Sequence, residues 1–418
     1  MSNPSVSARI VLQRQRRRRL EAGHPWVYQT EVERIEGDPT PGDLVDIVNH
    51  QGVFLARGYI NPRSQIVARV LTYDAGEVID RAFFTRRIAA AWAHRGRFLP
   101  ATGACRAVYG EADFLPGLIV DKYGDVLVVQ ILALGMEVRK DDILAALMEV
   151  FRPRGILLRN DVPVRSLEGL PLETTVWAGE VPPEVVIEEN GLQFIVDVQA
   201  GHKTGYFFDQ RDNRAAIRPL MTGWGAEHGR TPQDGDPFWD GAEVLDAFCH
   251  TGAFAVHALA YGARRVIAVD ISEPALAVGR RNAELNGVAD RVQWVAANAF
   301  DYLRELERAG RRFDVVILDP PAFAKSRHAL EGAIRGYKEI NLRGMKLTRD
   351  GGYLVTSSCS FHMRPDLFRE TILDAAVDAH KVLRLVHWSG AGKDHPEIEG
   401  VPEGHYLKFA IYEVRSRR

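Results

Sequence analysis

Four short stretches of this chain carry residue types that could do chemistry together. Val244-Leu245-Asp246-Ala247-Phe248-Cys249-His250-Thr251-Gly252 is an apolar run that places a carboxylate before a tight glycine turn. Asp270 closes the next apolar run, which begins at Arg265. Asp319-Pro320-Pro321-Ala322-Phe323 and Ser357-Ser358-Cys359-Ser360 follow. Each stretch lies at the carboxyl end of a predicted strand. In an open α/β sheet those ends line one crevice, where ligands bind.

The residue types narrow the ligand. Gly252 would let backbone approach a ligand closely. Asp246 can accept hydrogen bonds from an ammonium or hydroxyl, and Asp270 is placed to bind both ribose hydroxyls. A dinucleotide enzyme would space three glycines as G-x-G-x-x-G beneath a pyrophosphate. Only Gly252 matches here, and Asp246 would repel phosphate. A cationic nucleoside without phosphates, S-adenosylmethionine (SAM), fits better. Asn298 could bond an adenine edge, with Phe300 stacked on the ring. The bland alternative is a packed βα turn with no ligand.

Prolines make Asp319-Pro320-Pro321 a rigid turn. It aims Asp319 at a reacting group, with Phe323 to stack on a base and Lys325 to touch RNA phosphate. Cys359 bears on the target atom. A pyrimidine C5 becomes nucleophilic once a thiolate adds at C6. That route also needs an acid at N3, which Asp319 would supply if burial raises its pKa. The plain alternative for Cys359 is a small buried apolar residue. Cys249 reads as packing within the turn and Cys105 as structural. His362 is kept as a proton acceptor, against the commoner capping role of such histidines.

The elements that must position these groups follow from patterning. Residues 1–75 form short β-rich runs divided by turn chemistry, a compact barrel or curled sheet. Helical spacing takes over at 80–99. Strands, a helix over Lys140–Phe151 and the strand Gly155–Arg159 then suggest a small α+β middle domain over 76–182. From 183 the chain reads as a hairpin about Glu189-Asn190-Gly191, and then as alternating strands and helices. The strands are 243–247, 265–270, 292–296, 313–318 and 352–357. Two further β-like runs, Ala379–His387 and Tyr406–Val414, end the chain. Residues 222–242 read as an exposed loop.

Composition limits the class. The chain has 418 residues, a net charge of −2 and three cysteines without metal-ligand spacing. A reducing, cytoplasmic setting follows, with neither structural zinc nor a membrane span. Its basic N-terminus also allows a matrix-targeting peptide. Charge is unevenly spread, for residues 1–100 hold 15 arginines and no lysine against 10 acids. Arg14, Arg16, Arg17, Arg18 and Arg19 form a basic cluster, either a solvated tail or a phosphate-binding patch for RNA.

Several stretches together resemble one family. These are Gly23–Tyr28, Gly110–Asp113, Leu115–Asp121, Lys203–Arg211, Asp319–Ser326, Tyr337–Asn341 and Ser357–Ser360. In this order they resemble the class I SAM-dependent ribosomal RNA large-subunit methyltransferase I family, whose members make 5-methylcytidine. The resemblance implies an N-terminal PUA-like RNA-binding domain, the small middle domain and a C-terminal Rossmann-like sheet ending in an antiparallel seventh strand. It implies cofactor contacts at Lys203, Phe207, Gln210, Asp246, Gly252, Asp270, Asn298 and Asp319, with Cys359 as nucleophile. The expected partner is large-subunit rRNA, with a homodimer left open. Two rival readings remain, amino-group methylation of guanine or adenine and an RNA-binding assembly factor with a vestigial methyltransferase domain.

Overall fold

The structure is a computed structural model that describes residues 6, 8–14, 18–99, 103–201, 204–223, 241–324 and 326–417. The chain divides into two compact units. One comprises Met1–Ile187, Val196–Phe208 and Lys393–Gly404; the other comprises Glu188–Ile195, Asp209–Gly392 and His405–Arg418. Among the described residues no helix is long and apolar enough to cross a membrane.

The first unit contains two sheets. Six short strands, β1 (Arg9–Leu12), β2 (Trp26–Tyr28), β3 (Val32–Glu36), β4 (Leu44–Val48), β5 (Phe54–Ile60) and β6 (Ile66–Thr72), pair in the order β2-β6-β5-β4-β1-β3. The second sheet is built from β7 (Ala104–Tyr109), β8 (Leu118–Tyr123), β9 (Val126–Ile131), β10 (Gly155–Arg159) and β11 (Thr174–Gly179). Its order is β11-β10-β9-β8-β7. Helices α1 (Arg81–Phe98) and α2 (Lys140–Phe151) pack with it in a core of Phe83, Phe84, Ile88, Val129 and Leu147. The Asp80 carboxylate starts α1 by accepting the Phe83 N–H at 3.0 Å. Buried polar groups join the two sheets. Tyr59 donates to the Pro116 carbonyl at 2.7 Å, and Glu168 accepts from Asn61, Ser64 and Arg69 at 3.0, 2.8 and 2.9 Å.

The hairpin of β12 (Glu184–Glu189) and β13 (Leu192–Asp197) is where the chain passes between units. Asn190 (φ 53°) and Gly191 (φ 79°) take the left-handed conformations of a type I′ turn.

The second unit holds one seven-stranded sheet. Its strands are β14 (Glu243–Ala247), β15 (Arg265–Asp270), β16 (Val292–Ala296), β17 (Phe313–Leu318), β18 (Thr348–Ser358), β19 (Lys381–Ser389) and β20 (Lys408–Ser416). The order is β16-β15-β14-β17-β18-β20-β19. The first five are parallel and β20 runs antiparallel to β18. β14 and β17 are buried along their whole length, as continuous apolar runs in a parallel sheet should be. β18 starts four residues earlier than patterning suggests. β19 is an exposed edge, which leaves it a weak sequence signal. Helices α3 (Arg211–Ala216), α4 (Ala253–Ala260), α5 (Glu273–Leu285), α6 (Ala299–Arg308), α7 (Leu330–Leu347) and α8 (Pro365–Asp378) complete the unit. The strand order reverses between β14 and β17, the point at which such sheets have their ligand crevice, outside the strands' carboxyl ends.

Candidate active site

The site begins with the turn after β14. Phe248 (φ 66°), His250 (φ 50°) and Gly252 (φ 75°) all take left-handed backbone conformations. For the two non-glycine residues this strain costs on the order of 1 kcal/mol or more each, and such strain clusters at functional sites. Asp270 holds the turn: its carboxylate accepts the His250 N–H and the Ser272 N–H, both at 2.9 Å. The Cys249 N–H bonds the Val269 carbonyl at 3.0 Å. The packing around the turn gives a reason of its own for glycine at 252. A Cβ there would stand 2.3 Å from the Trp294 ring, and one at Gly279 would stand 2.7 Å from the same ring. Indole packing and the positive φ each call for glycine at 252.

Asp246 is fully buried, and among the described residues neither carboxylate oxygen has a hydrogen-bond partner. Burial first, and then the charges of Asp319 and Asp270, push this carboxyl well above the ordinary range; the nearby Ala255 N–H only partly opposes them. An orphaned buried carboxylate costs several kcal/mol unless a donor arrives.

Asp319 stands one residue beyond β17. Its Oδ1 accepts from Gln210 Nε2 at 2.8 Å and from the Ser357 hydroxyl. Burial pushes the carboxyl up to about 6; the Ser357 hydrogen bond opposes this and the Asp209 charge adds to it. Both donors engage Oδ1, so Oδ2 is the oxygen placed to carry a proton. Gln210 is itself fixed, because its Oε1 accepts from Asn213 Nδ2 at 2.7 Å and Asn213 Oδ1 accepts from the Ser389 hydroxyl at 2.7 Å.

Cys359 follows the last residue of β18 and is half-buried, its Sγ 3.9 Å from the Pro320 carbonyl. The thiol therefore meets the Asp-Pro-Pro turn. Beneath it Tyr337 joins the hydroxyls of Ser358 and Ser360, at 2.9 and 3.0 Å. Phe248, Phe300 and Phe323 form an aromatic triangle with centroids 5.7 to 6.4 Å apart. A groove beside them is lined by Phe300, Phe323, Ala329, Gly332 and Gly336.

Of the residues singled out from sequence, Gln210, Asp246, Asp270, Asp319 and Cys359 all stand on this crevice. Gln210 spends its amide on Asp319. Asn298 caps α6, accepting the Phe300 N–H at 2.9 Å. Phe207 belongs to the first unit. Cys249 and Cys105 are buried, and His362 packs its ring on Phe361 at 5.2 Å. Lys203, Lys325, Arg16 and Arg17 lie outside the described residues. Arg14 and Arg18 are exposed. Arg19 turns back to Glu31 at 3.8 Å, with its guanidinium 4.5 Å over the Tyr28 ring. Sequence reasoning gave Ser357 no role of its own and missed Asn213, Ser389 and Lys408. Only Lys408 left a sequence signal, a lone charge entering the apolar run Phe409-Ala410-Ile411.

These features define a SAM-dependent methyltransferase. The family model of that description matches residues 157–401, and a PUA-like domain model matches residues 10–73. A Streptococcus mutans protein assigned as a SAM-dependent methyltransferase shares the fold, with TM-score 0.79 at 20% identity over 97% of this chain and 99% of that one. A second structure, assigned as a methyltransferase and complexed with SAH, gives TM-score 0.80 at 20% identity over the same shares. The ribosomal RNA large subunit methyltransferase I of Cronobacter sakazakii is 41% identical over 97% of this chain and all of its own. The same-named protein of Salmonella arizonae is 42% identical over 96% of each. The chain belongs to the ribosomal RNA large subunit methyltransferase I family. Its cofactor is SAM, and the partnerless Asp246 carboxylate fits a cationic ligand at this crevice.

Proposed function

We propose that the protein methylates C5 of a cytosine in large-subunit rRNA through a transient adduct with Cys359. The observation that carries this reading is a half-buried thiol 3.9 Å from the Pro320 carbonyl of the Asp-Pro-Pro turn, whose Asp319 carboxyl burial pushes up to about 6. SAM, when bound, supplies an electrophilic methyl group. Asp246 would accept its ammonium, and Asp270 its ribose hydroxyls. Asn298 and Phe300 would face adenine, and the family resemblance adds Gly252, Lys203, Phe207 and Gln210 as cofactor contacts.

The protein's own residues account for the remaining steps. The Cys359 thiolate forms a bond to C6 of the ring, and the electron pair displaced from the C5–C6 double bond moves toward N3. Asp319 donates its proton or a hydrogen bond there. C5 is thereby made nucleophilic. After methylation a base removes the C5 proton, the C5–C6 double bond re-forms and the thiolate leaves. Reaching the crevice requires the base to be flipped from its stack, and Phe323 offers it a ring to stack on. The 1–75 PUA-like domain, with Arg14, Arg16, Arg17, Arg18 and Arg19, would grip rRNA backbone, as would Lys325. The 76–182 domain lies between it and the 183–418 catalytic domain in sequence. Homologues named for rRNA methylation support the substrate class.

RNA carrying 5-fluorocytidine tests the mechanism, since fluorine blocks loss of the C5 substituent. The wild type should form a SAM-dependent covalent adduct at Cys359, seen by gel shift and peptide mapping. Cys359→Ala should form none and turn over below about a thousandth of the wild-type rate, while calorimetry shows unchanged SAM affinity. Retained turnover without an adduct would move the chemistry to an exocyclic amine.

A further inference from the structure

Lys408 is 2% exposed at the start of β20, where it pairs in register with Ser358. Its Nζ donates to two carbonyl oxygens, Ser360 at 2.6 Å and Tyr406 at 2.8 Å. Among the described residues it has no carboxylate partner within ion-pair distance. An ammonium this deeply buried ordinarily has a counter-ion, since desolvating it alone is costly. Burial lowers Lys408 to about 8, and the opposing influence is the charge of Cys359. Cys359 immediately precedes the Ser360 carbonyl that Lys408 holds. The groups that face the thiol include Lys408 from β20, Tyr337 from α7 and the Pro320 carbonyl from the turn after β17.

We propose that Lys408 is a positioning residue that serves as the buried counter-ion of the Cys359 thiolate and fixes the Cys359–Ser360 turn through the Ser360 carbonyl. A cation beside a thiol favours the thiolate, the form able to add to a pyrimidine. The inference rests on Cys359 as nucleophile, but it can be read without RNA, so its failure and the failure of cytosine methylation are separable.

The test is the pH dependence of Cys359 alkylation by iodoacetamide, followed by peptide mass spectrometry. In Lys408→Met the midpoint should rise by about one pH unit, a roughly tenfold slower reaction at pH 7. Lys408→Arg should keep the midpoint within a few tenths. Coincident curves for the wild type and a Lys408→Met protein that still binds SAM would overturn the proposal. Should Lys408→Met fail to fold, lysine side-chain NMR of the wild type and Cys359→Ala decides. By reciprocal linkage Lys408 should titrate at lower pH without the thiol; an unmoved titration would reject the pairing.

Discussion

Arg95 and Asp246 are both completely buried, one in each unit, and their surroundings are opposite. Arg95 donates to Asp113 at 2.5 Å, to the Arg106 carbonyl at 2.9 Å and to the Asp394 carbonyl at 2.9 Å. Nearby, Arg106 grips Asp121 through two hydrogen bonds of 2.9 Å, and Arg69 pairs with Glu168. Among the described residues no hydrogen-bond partner meets the Asp246 oxygens, the Ala255 N–H only partly offsets its burial, and the charges of Asp319 and Asp270 repel it. These buried guanidinium–carboxylate pairs of the first unit fasten one segment to another. The crevice of the second buries carboxylates against one another and leaves an ammonium on carbonyls alone. A fold tolerates the second arrangement where a ligand completes it.

The comparison breaks first at Asp113. Asp113→Ala leaves a wholly buried guanidinium without its counter-ion, and it also frees the Tyr109 N–H that Asp113 accepts at 2.6 Å. Removing one partner of such a pair costs about 3–5 kcal/mol. Chemical denaturation should show that loss in the first unit, while SAM affinity measured on folded protein changes little. A loss under 1 kcal/mol would mean that the paired charges do not hold this unit together.

The two regions were unequally legible in sequence. Apolar runs ending in Asp246, Asp270 and Asp319 placed the parallel strands, because strands buried on both faces leave an unbroken signal. The carboxylates followed, since strand ends fix where they point. The first unit's short strands β1, β2 and β3 passed unremarked, as three- to five-residue runs give no period to count. The return of Lys393–Gly404 into the first unit was equally hidden. It rests on long-range contacts such as Arg106 to His395 at 3.0 Å, and neither residue signals its partner. The hydrogen bonds that link Gln210, Ser357, Asn213 and Ser389 to Asp319 were invisible for the same reason.

His257 sharpens the contrast within the second unit. It is fully buried, stacked 5.4 Å from Phe194, and its Nδ1 bonds the Ala253 carbonyl at 2.8 Å. Burial lowers its pKa to about 4, although the charge of Glu189 works the other way. The unfolded chain then binds one more proton than the native state between about pH 6.5 and 4. Stability from this group is complete above pH 6.5 and is lost as pH falls through that window, by on the order of 2–3 kcal/mol. In His257→Gln the slope of unfolding free energy over that window should flatten. An unchanged slope would assign the acid sensitivity to other groups.

The smallest stability effect has the opposite sign to the first, and so gives the sharper test. A carboxyl whose native pKa is raised contributes most below its unfolded pKa near 4, and that stability is lost as pH rises toward the native value. Asp246 is such a group. Asp246→Asn removes the repulsion from Asp319 and Asp270 but keeps a buried polar group, so the gains and losses nearly offset. Without cofactor the variant should be more stable than the wild type by roughly 0.5–1 kcal/mol at pH 8, with no gain at pH 4. The same change deletes the charge proposed to accept the cofactor's ammonium, and SAM affinity should fall at least about tenfold. Paired thermal melts at the two pH values and one calorimetric titration read both quantities. A variant less stable at pH 8, or one that binds SAM as tightly as before, would make Asp246 one more structural charge and erase the distinction between the two units.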